Sequence, residues 1–316
     1  MKKVLITGAG GFIGHHLAKY LKKRGYFVRG VDIKKPEFEE TSADEFLLLD
    51  LRKKENADIA TRGVSHVYNL ASNMGGVGFI DTVRARLMYD NILIDTNMLE
   101  SSHKQRVERF FYPSSALVYP NFTKNVKLKE EDAYPAKPDS EYGWEKLFIE
   151  RFCADYYADY GLETRVARFH NIYGTLGSWR GGREKSPAAL CRKIVEVKDG
   201  GEIEVWGDGT QSRSYCYIDD CIEGIYKLMQ SDIHEPINIG FDHAITINKL
   251  IDIIAKIAGK TVKKRYDTSK PQGVRNRNSD NTKIRKLLGW EPSIPLEIGF
   301  KKTYFWIKEE SAKLNA

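Results

Sequence analysis

Three side chains in this 316-residue chain have the types and spacing for proton transfer at a hydroxyl group. Tyr142 and Lys146 stand four residues apart in Glu141-Tyr142-Gly143-Trp144-Glu145-Lys146, which opens a predicted helix, and that spacing puts both on one face. Ser115 closes Arg109-Phe110-Phe111-Tyr112-Pro113-Ser114-Ser115, a predicted strand. A phenol titrates at about 10 when unperturbed, so Tyr142 needs a neighbouring positive charge to accept a proton near neutral pH. Lys146 supplies it. Ser115 is placed to hydrogen-bond the same substrate oxygen. Such a set acts when hydride leaves the carbon that bears the hydroxyl, and it therefore calls for a hydride acceptor.

Residues 1–32 supply a place for one. Val4-Leu5-Ile6 is a short apolar run of the kind that forms a buried parallel strand. It leads into Gly8, Gly11 and Gly14, then a helical pattern carrying Leu17 and Leu21, then a second strand at 27–31 closed by Asp32. In such a unit one glycine permits the tight turn, one lets the backbone approach a pyrophosphate, and one lets helix and strand pack closely. The pyrophosphate sits on the free N–H groups of the helix N-terminus. Asp32 is placed to accept from both ribose hydroxyls of NAD, and its charge disfavours a 2′-phosphate, although Lys34 and Lys35 lie close by. The expected cofactor is NAD.

The elements that must position these residues come in βα order. Glu45 to Leu51 reads as a third strand ending in Asp50-Leu51, a pair that can accept from an adenine amino group and cover its face; a plain strand exit and helix cap reads equally well for Asp50. His66 to Ala71 is a fourth strand, followed by a glycine-rich loop over 72–80 at the sheet edge where doubly wound folds bind ligands. A helix is expected over about 85–102, carrying Met88, Ile92, Asp95 and Leu99. Beyond Arg168 to Gly174 the pattern changes to long loops and shorter strands, with a final amphipathic helix over 298–308. The expected fold is α/β: a doubly wound parallel sheet over 1–170, with later segments returning to it, and a smaller C-terminal α/β lobe over 171–316.

Composition narrows the function classes. The 41% hydrophobic content with mixed charges is that of a soluble globular protein, and no stretch approaches the roughly 20 apolar residues of a membrane span. The N-terminus enters a strand directly, so no signal peptide and a cytoplasmic location are expected. Four cysteines show no CxxC pair or zinc spacing, and the seven histidines form no ligand pair, so no metal is expected. The net charge of +7 comes from 50 basic residues interleaved with 43 acidic ones. Nucleic acid is therefore not an expected partner, while a diphosphate substrate would account for local positive potential.

Taken together, Gly8-x-x-Gly11-x-x-Gly14, Tyr142-x-x-x-Lys146 and Arg168-x-x-Asn171-x-Tyr173-Gly174 resemble the extended short-chain dehydrogenase/reductase family that acts on nucleotide sugars. Longer segments resemble its GDP-mannose 3,5-epimerase members: 74–80, 109–115, 168–174, 181–187, 206–214, 273–280 and 304–308. The resemblance implies oxidation of C4 of a GDP-mannose-type sugar (hexose or heptose) with bound NAD, proton exchange at C3 and C5, and return of the hydride. Oxidation acidifies the neighbouring C–H bonds, because the carbanion becomes an enolate of the new ketone. The family carries out the exchange with a cysteine two residues after the serine and a lysine in the Gly-Gly-Arg-Glu-Lys segment. Lys185 matches the lysine, but Leu117 occupies the cysteine position.

The C4 machinery of Ser115, Tyr142 and Lys146 is complete, and the outcome after oxidation stays open. A 4-keto product, inversion at C4, a single proton exchange by Lys185, and full 3,5-epimerisation with Tyr119 or a water as the other base are all readings of this set. Dehydration is not expected, since dehydratases of the superfamily place Asp-Glu where Ala116-Leu117 stands. A non-catalytic sensor of NAD or nucleotide sugar is a further reading, against which the intact serine, tyrosine and lysine argue. The cofactor-contact set is Gly8, Gly11, Phe12, Ile13, Gly14, Asp32, Asp50, Leu51, Leu70, Ser72, Asn91, Tyr142, Lys146 and Phe169. The resemblance places Gly75, Ser115, Asn171 and Lys185 at the sugar and Gln211, Arg213 and Arg277 at the diphosphate and nucleotide. It also implies a homodimer formed by packing two helices from each subunit.

Overall fold

The structure is a computed structural model, and it describes residues 2–121, 127–270 and 273–314. The first half alternates strand and helix: β1 (Lys3–Thr7), α1 (Phe12–Lys23), β2 (Phe27–Asp32), β3 (Glu45–Leu48), α2 (Lys54–Thr61), β4 (His66–Asn69), α3 (Val77–Thr82), α4 (Arg84–Lys104), β5 (Arg109–Ser115), β6 (Lys127–Leu128), α5 (Glu141–Tyr160) and β7 (Glu163–Phe169). The second half holds β8 (Ile172–Tyr173), α6 (Ser186–Glu196), β9 (Glu202–Trp206), β10 (Ser212–Ser214), β11 (Cys216–Tyr217), α7 (Ile218–Gln230), β12 (Ile237–Ile239), β13 (Ala244–Thr246), α8 (Ile247–Ala258), β14 (Lys263–Asp267), β15 (Asn276–Ser279), α9 (Thr282–Leu288) and α10 (Leu296–Leu314).

Seven strands form one parallel sheet in the order β12-β7-β5-β4-β1-β2-β3. The winding reverses between β1 and β4, and a parallel sheet opens a crevice at the carboxyl ends of its strands at such a point. The apolar runs of β1 and β4 are buried on both faces, as a sheet covered by helices on both sides demands. On one face, Leu5, Val67, Phe110 and Tyr112 pack with Ile94, Met98 and Leu99 of α4 and Ile149 and Cys153 of α5. On the other, Val4, Ile6 and Phe111 join Leu17 and Leu21 of α1 and Ile222 and Ile225 of α7. That second core runs on without interruption into Leu190, Ile254, Phe300 and Ile307 of the later helices.

A four-stranded sheet, β13-β10-β15-β6, and two paired sets, β11-β8 and β14-β9, make up the rest. The ends of elements differ from expectation where side chains find better partners. The third strand stops at Leu48 rather than Leu51, because Leu51 turns into the core beside Ala57 and Ala60. The glycine-rich loop expected over 72–80 instead contains α3, capped by Gly76 in an extended conformation. All four cysteines are free and buried. Among the described residues, no helix is long and apolar enough to cross a membrane.

Candidate active site

Ser115 ends β5 and caps a single 3-10 turn over Ala116–Val118; its Oγ accepts from the Leu117 N–H at 3.2 Å, leaving its own O–H to donate elsewhere. The carbonyl of Leu117 packs against Gly143, where a Cβ would collide, so the strand exit and the start of α5 are pressed together. Ser140 caps α5 by accepting from the Gly143 N–H at 3.2 Å. This fixes the first turn, and Tyr142 with it. The Tyr142 ring packs with Ile80 and Leu87, against Met74, Phe79, Val83 and Leu117. Burial pushes the phenol up to about 12 against the pull of Lys146.

Lys146 lies one turn further along α5, its Nζ 5.4 Å from the Tyr142 ring centre. It donates to the Tyr112 hydroxyl at 3.0 Å and to Asp95 Oδ2 at 3.4 Å, and stands 3.3 Å from Glu145 Oε1. Burial alone would lower its pKa, but Asp95 and Glu145 outweigh that and hold it above its usual range, so the ammonium is kept charged. The sequence reading assigns no part to Asp95, Glu145 or Tyr112. Glu145 sits in plain view between Tyr142 and Lys146, yet its partners other than Lys146 come from α4 and β5, which no local pattern connects.

At the switch point, Gly8 has a φ of +66°, and a Cβ there would stand 2.7 Å from the Leu70 carbonyl at the exit of β4. A Cβ on Gly14 would strike the Gly8 carbonyl. These are two of the jobs expected of the glycine turn. Gly10, absent from the expected set, ties the turn to β2: its N–H donates to Asp32 Oδ2 at 3.0 Å, while Asp32 Oδ1 accepts from the Lys34 N–H at 3.1 Å. A carboxylate has about four lone-pair sites, so Asp32 retains capacity for ribose hydroxyls. Gly11 caps α1 without any side-chain bond, and the first turn of α1 carries no acidic residue, so its N–H groups are available to an anion. Phe12 packs beside Gly174 and Gly177, joining this turn to the later segment. This cradle fits a dinucleotide.

Other expected residues are placed less openly. The Asp50 carboxylate accepts a two-pronged contact from Arg52, whose Nη1 also reaches Asp90 Oδ1 at 3.0 Å. Leu51 is 3% exposed, so the expected apolar cover for a base is used up in the core instead. Asn91 is buried and accepts from the Asn73 N–H at 2.7 Å, holding the loop after β4. Ser72 is exposed in that loop, and Ile13, Leu70 and Phe169 are partly buried near the sheet ends. Tyr119, raised as an alternative base, is fully buried: its hydroxyl donates to Asn238 Oδ1 at 2.6 Å and accepts from Arg168. That engagement removes it from the bases available to a substrate.

The loops that carry the residues expected at the sugar are held by contacts with each other. The Gly76 N–H donates to the Arg183 carbonyl at 3.0 Å, and the Arg183 guanidinium lies 4.0 Å over Phe79 and donates to Asn73 Oδ1 at 3.2 Å. Gly75 is buried against Phe79. A Cβ on Gly76 would lie 3.6 Å from the Cα of Lys185, so one loop touches both the Tyr142 cluster and the Lys185 backbone. Lys185 caps α6 after two left-handed glycines, Gly181 and Gly182. Lys185 itself is exposed at the head of this helix. Asn171 holds a left-handed φ of 46° and donates to the Ser214 carbonyl at 2.8 Å.

Gln211, Arg213 and Arg277 come from β10, its lead-in and β15, adjacent strands in which Arg213 and Arg277 are register partners. Burial lowers both arginines; Tyr215 and Asp139 oppose this at Arg213, and Asp139 opposes it at Arg277. Arg277 is pushed down to about 10. Gln211 donates to the Trp206 carbonyl at 2.9 Å, while its Oε1 is buried without a partner. Among the described residues, no three His, Cys, Asp or Glu side chains converge as a metal site.

A doubly wound parallel sheet with a glycine-turn cradle at its switch point, and a serine, tyrosine and lysine beside it, defines an NAD-dependent enzyme of the short-chain dehydrogenase/reductase type. Residues 4–240 match the NAD dependent epimerase/dehydratase family, and the chain belongs to it. It is 48% identical to GDP-mannose 3,5-epimerase 1 of Oryza sativa subsp. japonica over 98% of this chain and 83% of that one. It is likewise 48% identical to GDP-mannose 3,5-epimerase of Arabidopsis thaliana, over 99% and 84%. Among solved structures it resembles UDP-glucose 4-epimerase of Thermotoga maritima with UDP-glucose (TM-score 0.89, 28% identity, 98% of this chain and 99% of that chain). It also resembles UDP-glucuronic acid 4-epimerase of Bacillus cereus, in complex with UDP-glucuronic acid and NAD (TM-score 0.84, 27% identity, 98% and 99%). The cofactor is NAD.

Proposed function

We propose that this chain oxidises C4 of a GDP-mannose-type nucleotide sugar, giving a 4-keto sugar as product or as the intermediate of an epimerisation. The observation that carries this is the packing of the Leu117 carbonyl against Gly143, which presses the turn capped by Ser115 onto the first turn of α5, where the Tyr142 ring centre lies 5.4 Å from Lys146 Nζ. Ser115 holds the C4 oxygen and Tyr142 takes its proton, with Lys146 stabilising the phenolate. NAD, when bound, supplies the hydride acceptor. Gly8, Gly10, Gly11, Gly14 and Asp32 would hold it, with Phe12, Ile13, Leu70, Ser72, Asn91 and Phe169 around it. The paired arginines Arg213 and Arg277 suit a diphosphate, because a guanidinium fork matches phosphate oxygens and burial strengthens the attraction. In this reading the lobe over 171–316 holds the nucleotide sugar and 1–170 the cofactor.

Leu117 shapes the chemistry available after oxidation. It packs in the apolar cluster around Tyr142 and can move no proton. Lys185, exposed beside the Gly76 loop, is suited to one exchange at a carbon beside the ketone. The second reading, full 3,5-epimerisation with a base other than a cysteine, draws on the two relatives named for that activity. On the same reading the chain acts as a homodimer through α4 and α5, whose Tyr89, Trp144 and Phe148 stand exposed.

Incubation with GDP-mannose in deuterium oxide, followed by NMR and the absorbance of reduced nicotinamide, tests this. A 4-keto sugar or reduced cofactor without deuterium at C3 or C5 is the result expected for an oxidation that stops at C4. Deuterium at both positions with the cofactor restored identifies C4 oxidation as a step of epimerisation. No change with any GDP-sugar overturns the proposal.

A further inference from the structure

Beneath Lys146 lies a cluster with more negative than positive charge. Asp95 is 1% exposed, Glu145 and Tyr112 are fully buried, and Lys146 is 2% exposed. Asp95 Oδ1 accepts from Asn69 at 2.8 Å, and Oδ2 accepts from the Tyr112 hydroxyl at 3.2 Å and from Lys146 at 3.4 Å. Glu145 Oε1 faces the same hydroxyl at 3.3 Å and the same ammonium at 3.3 Å, while Oε2 accepts from Asn91 at 3.4 Å. Tyr112 has one proton and two carboxylates facing it. Lys146 is the single cation at either carboxylate among the described residues, so two ionised acids would leave a buried net negative charge. Such a charge is costly away from water.

We propose that Glu145 keeps a proton beside Asp95 and that the two, through Lys146, are the positioning residues that set how readily Tyr142 accepts a proton from the substrate. This rests on Tyr142 being the acceptor named above. The direction agrees for Glu145, whose carboxyl is raised by burial and by Asp95 against the pull of Lys146. The groups facing Tyr142 are few. Lys146 and Glu145 come from its own helix, Asp95 from α4 and Tyr112 from β5, while α3 and the turn after Ser115 pack Phe79, Ile80 and Leu117 against the ring, and Ser115 carries no charge. Cys153, the remaining titratable neighbour of Asp95 and Lys146, is buried and raised, and Glu150 is tied to Arg168 at 2.7 Å. With one proton in the pair, the cluster is neutral and Tyr142 feels Lys146 balanced by a single charge. When alkali removes that proton, an extra negative charge opposes ionisation of the phenol.

Two substrate-free measurements on the NAD-loaded enzyme test this. Infrared difference spectra between acidic and alkaline pH should show a protonated carboxyl band that is lost in both D95N and E145Q. The Tyr142 phenol, isolated as the ultraviolet titration difference between the chain and its Y142F variant, should titrate about one pH unit lower when either carboxylate is made an amide. A band that survives in both variants, or an unmoved phenol titration, overturns the proposal, and for the titration either isosteric variant alone is sufficient. The rising limb of the kcat–pH profile should move with the phenol. A moved phenol with an unmoved profile instead overturns Tyr142 as the acceptor, which separates failure of the functional reading from failure of this one.

Discussion

Arg277 Nη2 lies 3.4 Å from Asp139 Oδ2, and Asp139 immediately precedes Ser140, the residue that caps the helix of Tyr142. The ion pair thus joins β15 with the lead-in to α5, the helix that carries Tyr142. Arg213, its register partner, pushes the Arg277 charge in the same unfavourable direction as burial. A dianionic diphosphate would relieve both.

Arg277→Gln is therefore expected to raise KM for a GDP-sugar about 10- to 100-fold, the range of a lost charge-assisted hydrogen bond at about 1.5–3 kcal/mol. NAD affinity should be unchanged. Steady-state kinetics with cofactor titration checks both, and an unaltered KM would remove Arg277 from the substrate site.

Tyr142→Phe keeps the ring in its apolar setting and deletes the hydroxyl. The rate should fall roughly 10²–10⁴-fold with NAD still bound, as for loss of a general acid/base. Single-turnover measurement of cofactor reduction is the direct readout, and a rate equal to the parent's would exclude the phenol.

Leu117→Cys places a thiol where the apolar wall now meets Tyr142. Deuterium incorporation at C3 or C5 of GDP-mannose should rise in this variant. Equal incorporation in variant and parent would mean that the side chain at 117 does not limit proton exchange. The exchange of a partly buried leucine for a smaller group should cost about 1–3 kcal/mol in stability.

Gly8→Ala forces a Cβ to 2.7 Å from the Leu70 carbonyl, in a left-handed conformation. We expect about 1–3 kcal/mol of lost stability together with weakened NAD binding, since the turn must open to make room. Thermal unfolding with and without NAD measures both. An unchanged midpoint in both conditions would contradict the close approach.

His170 is fully buried, and burial chiefly depresses it to about 3, with Asn238 opposing. An unfolded chain binds its proton near the ordinary value of 6.5, so between about 6.5 and 3 the unfolded state carries more protons. The contribution is present in full above the unfolded value and is lost as pH falls through that window. His170→Gln should flatten this acid limb of the stability curve. Denaturant unfolding at a series of pH values checks it, and an unchanged slope would show that another group sets the limb.

Much of the fold and site is legible in the sequence because it depends on local order. Val4-Leu5-Ile6, the glycine turn and Asp32 form a unit whose parts are neighbours along the chain, and the pairing of β1 with β2 accords with it. The four-residue spacing of Tyr142 and Lys146 fixes their shared helix face in the same way. Leu51 defeats such a reading for a related reason: a leucine at a strand exit can face a ligand or the core, and the choice depends on α2 packing behind it.

Chain order alone specifies the alternation of strand and helix, the glycine turn, and a serine at a strand exit with a tyrosine and a lysine on one helix face. Periodicity and backbone restriction act over a few residues, so they can be read without a fold. Which charges meet is settled only in three dimensions. Asp95 lies 51 positions from Lys146, and Arg277 lies 138 from Asp139. Electrostatic coupling depends on distance through space and on lost hydration, and neither exists until the sheet has wound and the helices have closed over it.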